Sequence, residues 1–279
     1  MVTVMGKIQS FIPDLFSGFL CFLRGIMFHV LRHGPMPKHI AFIMDGNRRF
    51  SRRHNMKLGG GHRVGYHTLI STLQYCYEMG IKYVTVYAFS IDNFKRKPDE
   101  VEEMMSLMIE KIEEFLQKGS VISKYNMRIN FWGNLKLLKE PVRLAAEKAM
   151  AATAANSGPV LSICVAYTLT DEITHAINEA CKEKYACREE EEQEEEEDRA
   201  ISVDDIEKYL YTEGCPDPDI LIRTSGETRL SNFLLLQTAH CHLQNPYALW
   251  PEFSLWHLIW AVLNYQRVYP YLEKIKKSK

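Results

Sequence analysis

Three short polar segments follow predicted strands and carry residue types that suit phosphate chemistry. Residues 45–49 (DGNRR) follow the first strand, residues 90–96 (SIDNFKR) the second, and residues 223–231 (RTSGETRLS) the fifth. Arginine forks and backbone amides beside a glycine bind phosphate oxygens. A single carboxylate beside them suits Mg²⁺, which takes one or two carboxylates plus substrate phosphates. These segments predict a Mg²⁺-assisted site for one or two phosphate-bearing ligands.

Each segment on its own also has an ordinary structural explanation. Asp-Gly-Asn is a common turn sequence, and Arg223 and Arg229 could form surface ion pairs. The glycines at 59–61 could form a flexible loop, or a helix start that faces phosphate and places His62 near the site. The agreement of three strand-end segments favours the phosphate site, because ligands of parallel sheets bind beyond the carboxyl ends of the strands.

Nearly continuous apolar strands alternate with helices from Pro35 onward. This pattern predicts an α/β fold with a parallel sheet that helices cover on both faces. The predicted strands span residues 39–44, 83–89, 128–132, 161–167 and 219–223, and the predicted helices span 64–79, 98–118, 140–155, 170–184, 203–211 and 254–269. The four tryptophans and the 104–108 region are predicted to pack in the core rather than line a tunnel, because buried apolar positions are mostly packing.

Two segments differ from the single domain predicted over residues 34–279. Residues 188–199 (REEEEQEEEEDR) carry nine acids and two arginines, or −7, so the rest of the chain sums to −1 − (−7) = +6. We expect a solvated, disordered insertion there, and a mildly basic remainder that suits an anionic ligand or membrane surface.

Residues 1–33 have amphipathic helical spacing. That helix could pack on its own domain, but we favour a helix that lies in a membrane interface or lines a lipid entrance.

The stretches HIAFIMDGNRRF, GGGHRVG, VTVYAFSIDNFKR, DILIRTSGETRLSNFLL and ALWPEF resemble the cis-prenyltransferase family, in order and over about residues 33–270. Within that family they are most similar to eukaryotic dehydrodolichyl diphosphate synthases and plant rubber-type enzymes. The resemblance implies a six-stranded, mostly parallel sheet with a hydrophobic tunnel. It also implies successive condensation of isopentenyl diphosphate onto an allylic diphosphate such as farnesyl diphosphate, leaving Z double bonds in a long-chain product.

The resemblance also assigns roles to positions of this chain. Asp45 matches the aspartate that positions Mg²⁺ and the allylic diphosphate, and Gly46, Asn47, Arg48 and Arg49 match the loop around that diphosphate, with His62 nearby. Ser90, Asn93, Phe94 and Arg96 match a mobile loop. There Asn93 is expected to orient a group or a water while a substrate phosphate oxygen takes the proton. Arg223, Arg229 and Ser231 match the isopentenyl diphosphate pocket.

The sequence also departs from the family pattern. His242 replaces a metal-binding glutamate of many bacterial members, Leu236 replaces a tryptophan, and Leu58 replaces an arginine. Residues 266–279 contain no Arg-x-Gly motif, which the resemblance implies is supplied by a Nogo-B receptor-like partner. We therefore expect a hetero-oligomer in which this chain is catalytic but weak alone. An amphipathic start and a lipid product suggest the cytosolic face of the endoplasmic reticulum membrane.

Alternatives to dolichol-type synthesis require other sequence features. A rubber-type synthase differs only in product length, and a non-catalytic scaffold of the same fold would typically lose the aspartate loop. A trans-prenyltransferase needs D-D-x-x-D motifs, which Asp204-Asp205 do not complete. Nucleotide binding lacks its glycine motifs, and nucleic-acid binding lacks a basic stripe with interleaved aromatics. Seven scattered cysteines favour a reducing compartment over a disulfide framework.

Overall fold

A six-stranded parallel sheet forms the centre of the computed structural model, which describes residues 21–186 and 201–277. The strands are β1 His39–Ile43, β2 Tyr83–Ser90, β3 Arg128–Trp132, β4 Val160–Tyr167, β5 Ile220–Arg223 and β6 His242–Gln244. Their order is β3-β4-β2-β1-β5-β6, and every neighbouring pair is parallel. The α/β class and the six strands are confirmed. The residue pattern alone did not locate β6, because three half-exposed residues leave no apolar run.

Helices connect the strands and cover both faces of the sheet. They are α1 (residues 21–31), α2 Asn47–Arg53, α3 Gly60–Glu78, α4 Pro98–Phe115, α5 Val121–Lys124, α6 Glu140–Thr153, α7 Leu169–Ala186, α8 Val203–Glu207 and α9 Leu255–Lys277. Helix α2 was not predicted, because it buries no residue and so has no apolar periodicity. Helix α9 continues through Pro270, beyond the predicted end at residue 269.

The sheet separates two apolar clusters, because successive side chains of a strand point to opposite faces. Ile40 and Phe42 of β1 belong to the first cluster, which also includes buried side chains of α1, α3, α4, α6 and α9. Ala41 and Ile43 belong to the second cluster, together with Tyr167 of β4. All five β1 residues are buried, and four of them, Ile40–Ile43, form a continuous apolar run.

The two segments that differ from the core are described only in part. The predicted acidic insertion at 188–199 and residues 1–20 of the predicted membrane segment lie outside the described residues. Helix α1 buries Phe28 and Leu31 in the first cluster, and Arg24 pairs with Glu78 of α3 at 2.9 Å. The opposite side of α1 is exposed. Among the residues with described structure, no helix combines the length and apolarity needed to cross a membrane.

The tryptophans correct one prediction. Trp132 is buried, as expected of a core residue, and Trp250 is buried but also lines the cavity described below, whereas Trp256 and Trp260 of α9 are 67% and 58% exposed. Both exposed residues lie on the side of α9 opposite its buried residues. Apolar composition had suggested burial for all four side chains, whereas the packing direction of α9 leaves two of them in solvent.

A buried carboxylate links β4, α7 and the loops on either side of β5. Glu172 is fully buried, and it accepts hydrogen bonds from the Tyr167 hydroxyl at 2.5 Å and from the Thr212 N–H at 3.1 Å. The Gln237 amide donates a third bond at 3.3 Å. Burial raises the pKa of Glu172 despite these three donors. The carboxylate therefore holds three chain segments together at the cost of its own desolvation.

We expect Glu172→Leu to lower the free energy of unfolding by about 2–4 kcal/mol, because it leaves the buried Tyr167 hydroxyl and Thr212 N–H without an acceptor and removes one of the two acceptors of the Gln237 amide. Urea unfolding followed by circular dichroism measures the change. Glu172→Gln retains an acceptor oxygen and should lose less than half as much. Equal losses in the two variants would contradict a role for these hydrogen bonds.

Candidate active site

A cavity of about 680 Å³ opens at the carboxyl edge of the sheet and extends between β2, α3 and α4. The predicted site residues that line it are Asp45, Asn47, Arg48, His62, Ser90, Asn93, Arg96, Arg223, Arg229 and Ser231. Gly46 and Arg49 line an adjoining cavity of about 410 Å³, which shares Asp45, Arg48 and Arg96 with the first. The structure thus brings the three polar segments together at one sheet edge.

An ion pair between Asp45 and Arg223 lies at the centre of this edge. Asp45 comes two residues after β1, Arg223 is the last residue of β5, and the two strands are neighbours. Arg223 donates to Asp45 Oδ2 at 2.8 Å and to Ser231 Oγ at 2.7 Å, and it also bonds the Arg229 carbonyl. The Arg223 side chain is only 5% exposed, so these acceptors replace the hydration lost by its two Nη atoms, while its buried Nε has no hydrogen-bond partner.

The charge state of Asp45 follows from this pairing. Burial by itself would raise the Asp45 pKa, but the hydrogen bond and charge of Arg223, with those of Arg49, hold it below its usual value. Asp45 Oδ1 lies 3.2 Å from Arg49. The carboxylate is therefore ionised at neutral pH and available to a cation.

Backbone conformation places the residues after Asp45. Gly46 has φ +107°, a left-handed value, and a Cβ there would lie 2.9 Å from Leu249 Cβ. Only glycine satisfies both the φ value and the close approach at position 46 without strain. The next residue, Asn47, donates from Nδ2 to the Met44 carbonyl at 3.0 Å, while its buried Oδ1 has no hydrogen-bond partner.

The glycines before α3 allow close helix packing. A Cβ on Gly61 would lie 2.1 Å from the Asn47 carbonyl oxygen, and one on Gly65 would lie 2.3 Å from Asn47 Oδ1. Trp250 Nε1 donates to the Gly65 carbonyl at 2.8 Å. These contacts bring the first turn of α3 close to α2, which places His62 in the cavity wall.

A cluster of positive charge surrounds His62. Burial, then the charges of Arg96 and Arg48, lower the His62 pKa to about 4, although Glu100 opposes the shift. Glu100 Oε1 lies 3.1 Å from Arg96 and 3.4 Å from Arg48. Burial and the charge of Arg48 also lower the Arg96 pKa. One carboxylate thus offsets two guanidinium groups, and a bound anion would stabilise the cluster further.

The segment after β2 forms a 3-10 turn over Ile91–Lys95. Ser90 Oγ accepts the Asp92 N–H at 3.2 Å, and Arg96 donates to Asn93 Oδ1 at 3.1 Å. Asn93 and Arg96 therefore face the cavity as a hydrogen-bonded pair. Phe94 is not among the lining residues, and its ring packs edge-on against Phe89 at 4.8 Å.

The segment after β5 has an unusual backbone. Ser231 and Asn232 have φ values of +50° and +58°. Asn232 bonds to the start of α7, because its Oδ1 accepts the Thr170 N–H at 3.3 Å and its Nδ2 donates to Thr170 Oγ1 at 2.9 Å. These contacts stabilise the strained turn and present Ser231 to Arg223. Arg229 is 70% exposed and lies at the rim of the cavity.

The deeper part of the cavity is apolar. Its lining includes Leu69, Val86, Phe89, Met104, Leu107, Met108, Ile112, Phe115, Phe131 and Ile163. Met104, Leu107 and Met108 were predicted to be core residues, so their place in the cavity wall is a correction. Helical periodicity could not separate these cases, because a residue facing a cavity and a residue facing the core occupy the same side of α4.

Sequence reasoning missed several residues of this site. Glu100, Asp92, Asn232 and Tyr87 contact or line the cavity, and Trp250 closes one side. Asp92 and Asn232 adjoin the predicted residues Asn93 and Ser231, so their place in the sequence could have indicated that they belong to the site. Glu100 gave none, since acidic residues are common in the first turn of a helix.

The residues present fit a magnesium ion held jointly with a substrate. Within residues 21–186 and 201–277, no three His, Cys, Asp or Glu side chains form a metal-binding group. Asp45 supplies one ionised carboxylate, and Asn47 Oδ1 is a nearby buried oxygen without a hydrogen-bond partner. Mg²⁺ is bound by one or two carboxylates plus phosphate oxygens, so this donor set suits Mg²⁺ only when a phosphate is present.

The departures from the family pattern lie outside the main cavity lining. His242 is the first residue of β6, and burial lowers its pKa. Leu236 and Leu58 are 49% and 60% exposed. None of the three contributes to the walls that contain Asp45, Asn93 or Arg223.

We expect anion binding to take up protons through His62. Its pKa of about 4 leaves the free imidazole neutral at neutral pH. A bound anion raises that pKa, so anion affinity should increase as the pH falls between about pH 7 and 4. Titration calorimetry with inorganic diphosphate in two buffers of different ionisation enthalpy measures the uptake. His62→Asn should reduce it, and His67→Asn, an exposed position on the same helix, should not. The same uptake in both variants would disprove the assignment.

Comparison with known proteins gives relatives of high similarity. Dehydrodolichyl diphosphate synthase CPT3 of Solanum lycopersicum is 53% identical, over 94% of this chain and 97% of the relative. Rubber cis-polyprenyltransferase HRT2 of Hevea brasiliensis is 49% identical, over 95% and 96%. The dehydrodolichyl diphosphate synthase complex subunit DHDDS of Homo sapiens is 41% identical, over 89% of this chain and 72% of the relative.

The fold has a solved counterpart. Lavandulyl diphosphate synthase from Lavandula x intermedia, in complex with dimethylallyl diphosphate, superposes with a TM-score of 0.71 at 28% identity, covering 83% of this chain and 95% of that one. The family model Prenyltransf, described as "Putative undecaprenyl diphosphate synthase", matches residues 43–270, which include all three polar segments of the site. On this family match and these relatives, the chain belongs to the undecaprenyl diphosphate synthase family of prenyltransferases.

Proposed function

We propose that the chain condenses isopentenyl diphosphate successively onto an allylic diphosphate such as farnesyl diphosphate, giving a long Z-polyprenyl diphosphate of the dolichol type. The observation that carries this proposal is the continuity of one cavity. Its mouth holds Asp45, Arg223 and further arginines, and its interior is apolar. A diphosphate bound at the mouth would direct its hydrocarbon chain inward.

The residue types suit the proposed reaction. When the allylic C–O bond breaks, negative charge develops on the departing diphosphate, and Arg48, Arg49 and Arg96 lie where they could stabilise it. Asp45 would hold Mg²⁺ together with the diphosphate oxygens, and the bound ion would supply further charge stabilisation. We assign the allylic diphosphate to the segment that contains Gly46 and Asn47, with His62 beside it.

The second substrate is assigned to the other side of Asp45. Arg223, Arg229 and Ser231 would clamp the diphosphate of isopentenyl diphosphate and so position its double bond against the allylic carbon. Asn93 is a weak base. We therefore propose that Asn93, held by Arg96, orients a group or water while a phosphate oxygen accepts the proton. Ser90 and Phe94 support that segment.

The cavity volume bears on the product. A chain carbon takes about the space of a water molecule in the liquid, about 30 Å³. A cavity of about 680 Å³ then holds on the order of twenty carbons. A farnesyl chain fits within this volume. We propose that a lengthening chain extends beyond the cavity, and that the rubber-type alternative differs in the length at which the product is released.

We expect Asp45→Ala to reduce incorporation of labelled isopentenyl diphosphate onto farnesyl diphosphate at least a thousandfold, about 4 kcal/mol in the transition state. Chelation of Mg²⁺ should have a comparable effect. Asp99→Ala is the matched control, since Asp99 is an exposed acid in the first turn of α4, and it should retain activity. Substantial turnover by Asp45→Ala would reject the assignment. Absence of turnover by the folded wild-type protein in complex with a partner subunit would favour the scaffold alternative.

We also propose a Nogo-B receptor-like partner that contributes an Arg-x-Gly tail. The human relative is named as a subunit of a complex, which supports this. Strand β6 lies at the edge of the sheet, and Leu235, Leu236 and Leu243 near it are 41%, 49% and 44% exposed. An apolar sheet edge of this kind suits a protein partner.

Addition of the partner should raise the rate of isopentenyl diphosphate incorporation at least tenfold over that of the chain alone. Leu243→Glu should reduce co-purification with the partner, because it places a charge on the apolar edge. Leu144→Glu, at a 51% exposed position on α6, is the control. Full activity of the chain alone, or unchanged co-purification of Leu243→Glu, would contradict this proposal.

The product also suggests a location. A long polyprenyl chain is insoluble in water, so we propose that the enzyme works at a membrane surface, on the cytosolic face of the endoplasmic reticulum. The exposed apolar side of α1 supports membrane contact. Microscopy of the chain with a fluorescent tag, together with protease protection of microsomes, tests both the organelle and the face.

A further inference from the structure

Helix α9 exposes an aromatic stripe along its outer side. Trp256, Trp260, Leu263 and Tyr271 are 67%, 58%, 38% and 67% exposed. Their spacing of four, three and eight residues places them on one side of a helix. The opposite side of α9 is buried in the first apolar cluster, where Val262 is fully buried. Two exposed tryptophans on one side of a helix are a large departure from ordinary surface composition.

Helix α1 presents a second apolar stripe beside the first. Phe22, Leu23, Ile26 and Val30 are 64%, 39%, 46% and 64% exposed. Gln266 of α9 donates to the carbonyl at the end of α1, that of Leu31, at 2.7 Å, so the two helices are neighbours. Both pack their buried sides into the first cluster, so both stripes point away from the same face of the sheet. We call these eight residues the α1–α9 face.

Positive charges outnumber negative ones around the α1–α9 face, where Glu78 is paired with Arg24 of α1 at 2.9 Å. Arg32, Arg267 and Lys274 are exposed. Residues 21–34 contain no acid, and Glu273, the single acid of α9, accepts a hydrogen bond from Tyr269 at 2.8 Å. A face with apolar centre, tryptophan and tyrosine side chains and cationic surroundings is complementary to the interface of a membrane with anionic lipids.

We propose that the α1–α9 face docks on an anionic lipid bilayer, with Trp256 and Trp260 inserted at the level of the headgroups. This inference rests on the proposed synthesis of a membrane-soluble product. The apolar part of the active-site cavity lies on the same side of the sheet, since Phe89, Phe131 and Leu69 belong to the first cluster. Docking would therefore turn the product side of the enzyme toward the lipid.

The distribution of the four tryptophans allows a direct test. Trp132 and Trp250 are buried, and Trp256 and Trp260 are exposed. The full-length chain is mixed with phosphatidylcholine–phosphatidylserine vesicles whose acyl chains carry bromine, which quenches tryptophan only at short range. We expect quenching of roughly half of the fluorescence, because two of the four tryptophans would enter the interface. Trp256→Phe/Trp260→Phe should still bind the vesicles but lose the quenching.

Loss of the indole groups should also weaken docking. Trp256→Ser/Trp260→Ser should reduce vesicle affinity in a flotation assay roughly tenfold or more. The matched control is Ile177→Ser/Val203→Ser, which removes exposed apolar side chains from α7 and α8, at 38% and 69% exposure. Glu172 of α7 bonds to Tyr167 of the second cluster, and Lys184 of α7 pairs with Asp205 of α8 at 3.4 Å. Both helices therefore lie toward the other face of the sheet, so the control should bind as the wild type does.

Unquenched tryptophans in vesicle-bound protein, or equal binding by the serine variant, would overturn the inference. Sedimentation could also show that the wild type and the control form a dimer and the serine variant does not. Together with unchanged vesicle binding, this result would identify the α1–α9 face as a contact between copies of the chain instead. Prenyl transfer measured in detergent distinguishes failure of the docking proposal from failure of the proposed prenyl-transfer reaction. The serine variant should retain at least half of the wild-type rate there, whereas failure of the proposed reaction would abolish the rate in every variant.

Discussion

The Asp45–Arg223 ion pair is the interaction on which the site depends. Parallel pairing of β1 and β5 places Ile43 beside Arg223, so both strands end at the same position along the sheet edge. Arg223 is nearly buried and must have acceptors, which Asp45, Ser231 and a backbone carbonyl provide. The backbone of Asp45 also accepts hydrogen bonds from Thr224 at 2.6 Å and from the Trp250 N–H at 2.9 Å. The segments at residues 223–224, 229–231 and 250 are thereby fixed around Asp45 and its partner Arg223.

The cavity combines a positively charged mouth with an apolar interior. Its mouth concentrates guanidinium groups, and burial, followed by the repulsion between these positive charges, lowers the pKa values of His62 and Arg96. Glu100 offsets this repulsion only in part. Its interior is lined by apolar side chains that gain nothing from contact with water. A diphosphate ester with a hydrocarbon chain satisfies both regions at once, and a ligand with only one of these parts does not.

The same face of the sheet carries the apolar cavity and the α1–α9 face. This follows from the topology, because α1, α3, α4 and α9 all contribute side chains to the first cluster. The second face is covered by α7 and held by the buried Glu172 network. The cavity and the α1–α9 face therefore share one side of the sheet, and β6 forms its edge strand.

Much of the fold and of the site could be predicted from the sequence, and the remainder depended on distances between segments far apart in the chain. Alternating apolar runs determined the sheet, because a strand buried on both faces must be continuously apolar. Strand-end segments determined Asp45, Asn93 and Arg223, because parallel strands end at one edge. The local pattern could not determine β6, α2, the role of Glu100, the lining by Met104 or the exposure of Trp256. Each of these depends on which side of an element meets the sheet, a cavity or solvent, and only the packing of the whole chain decides that.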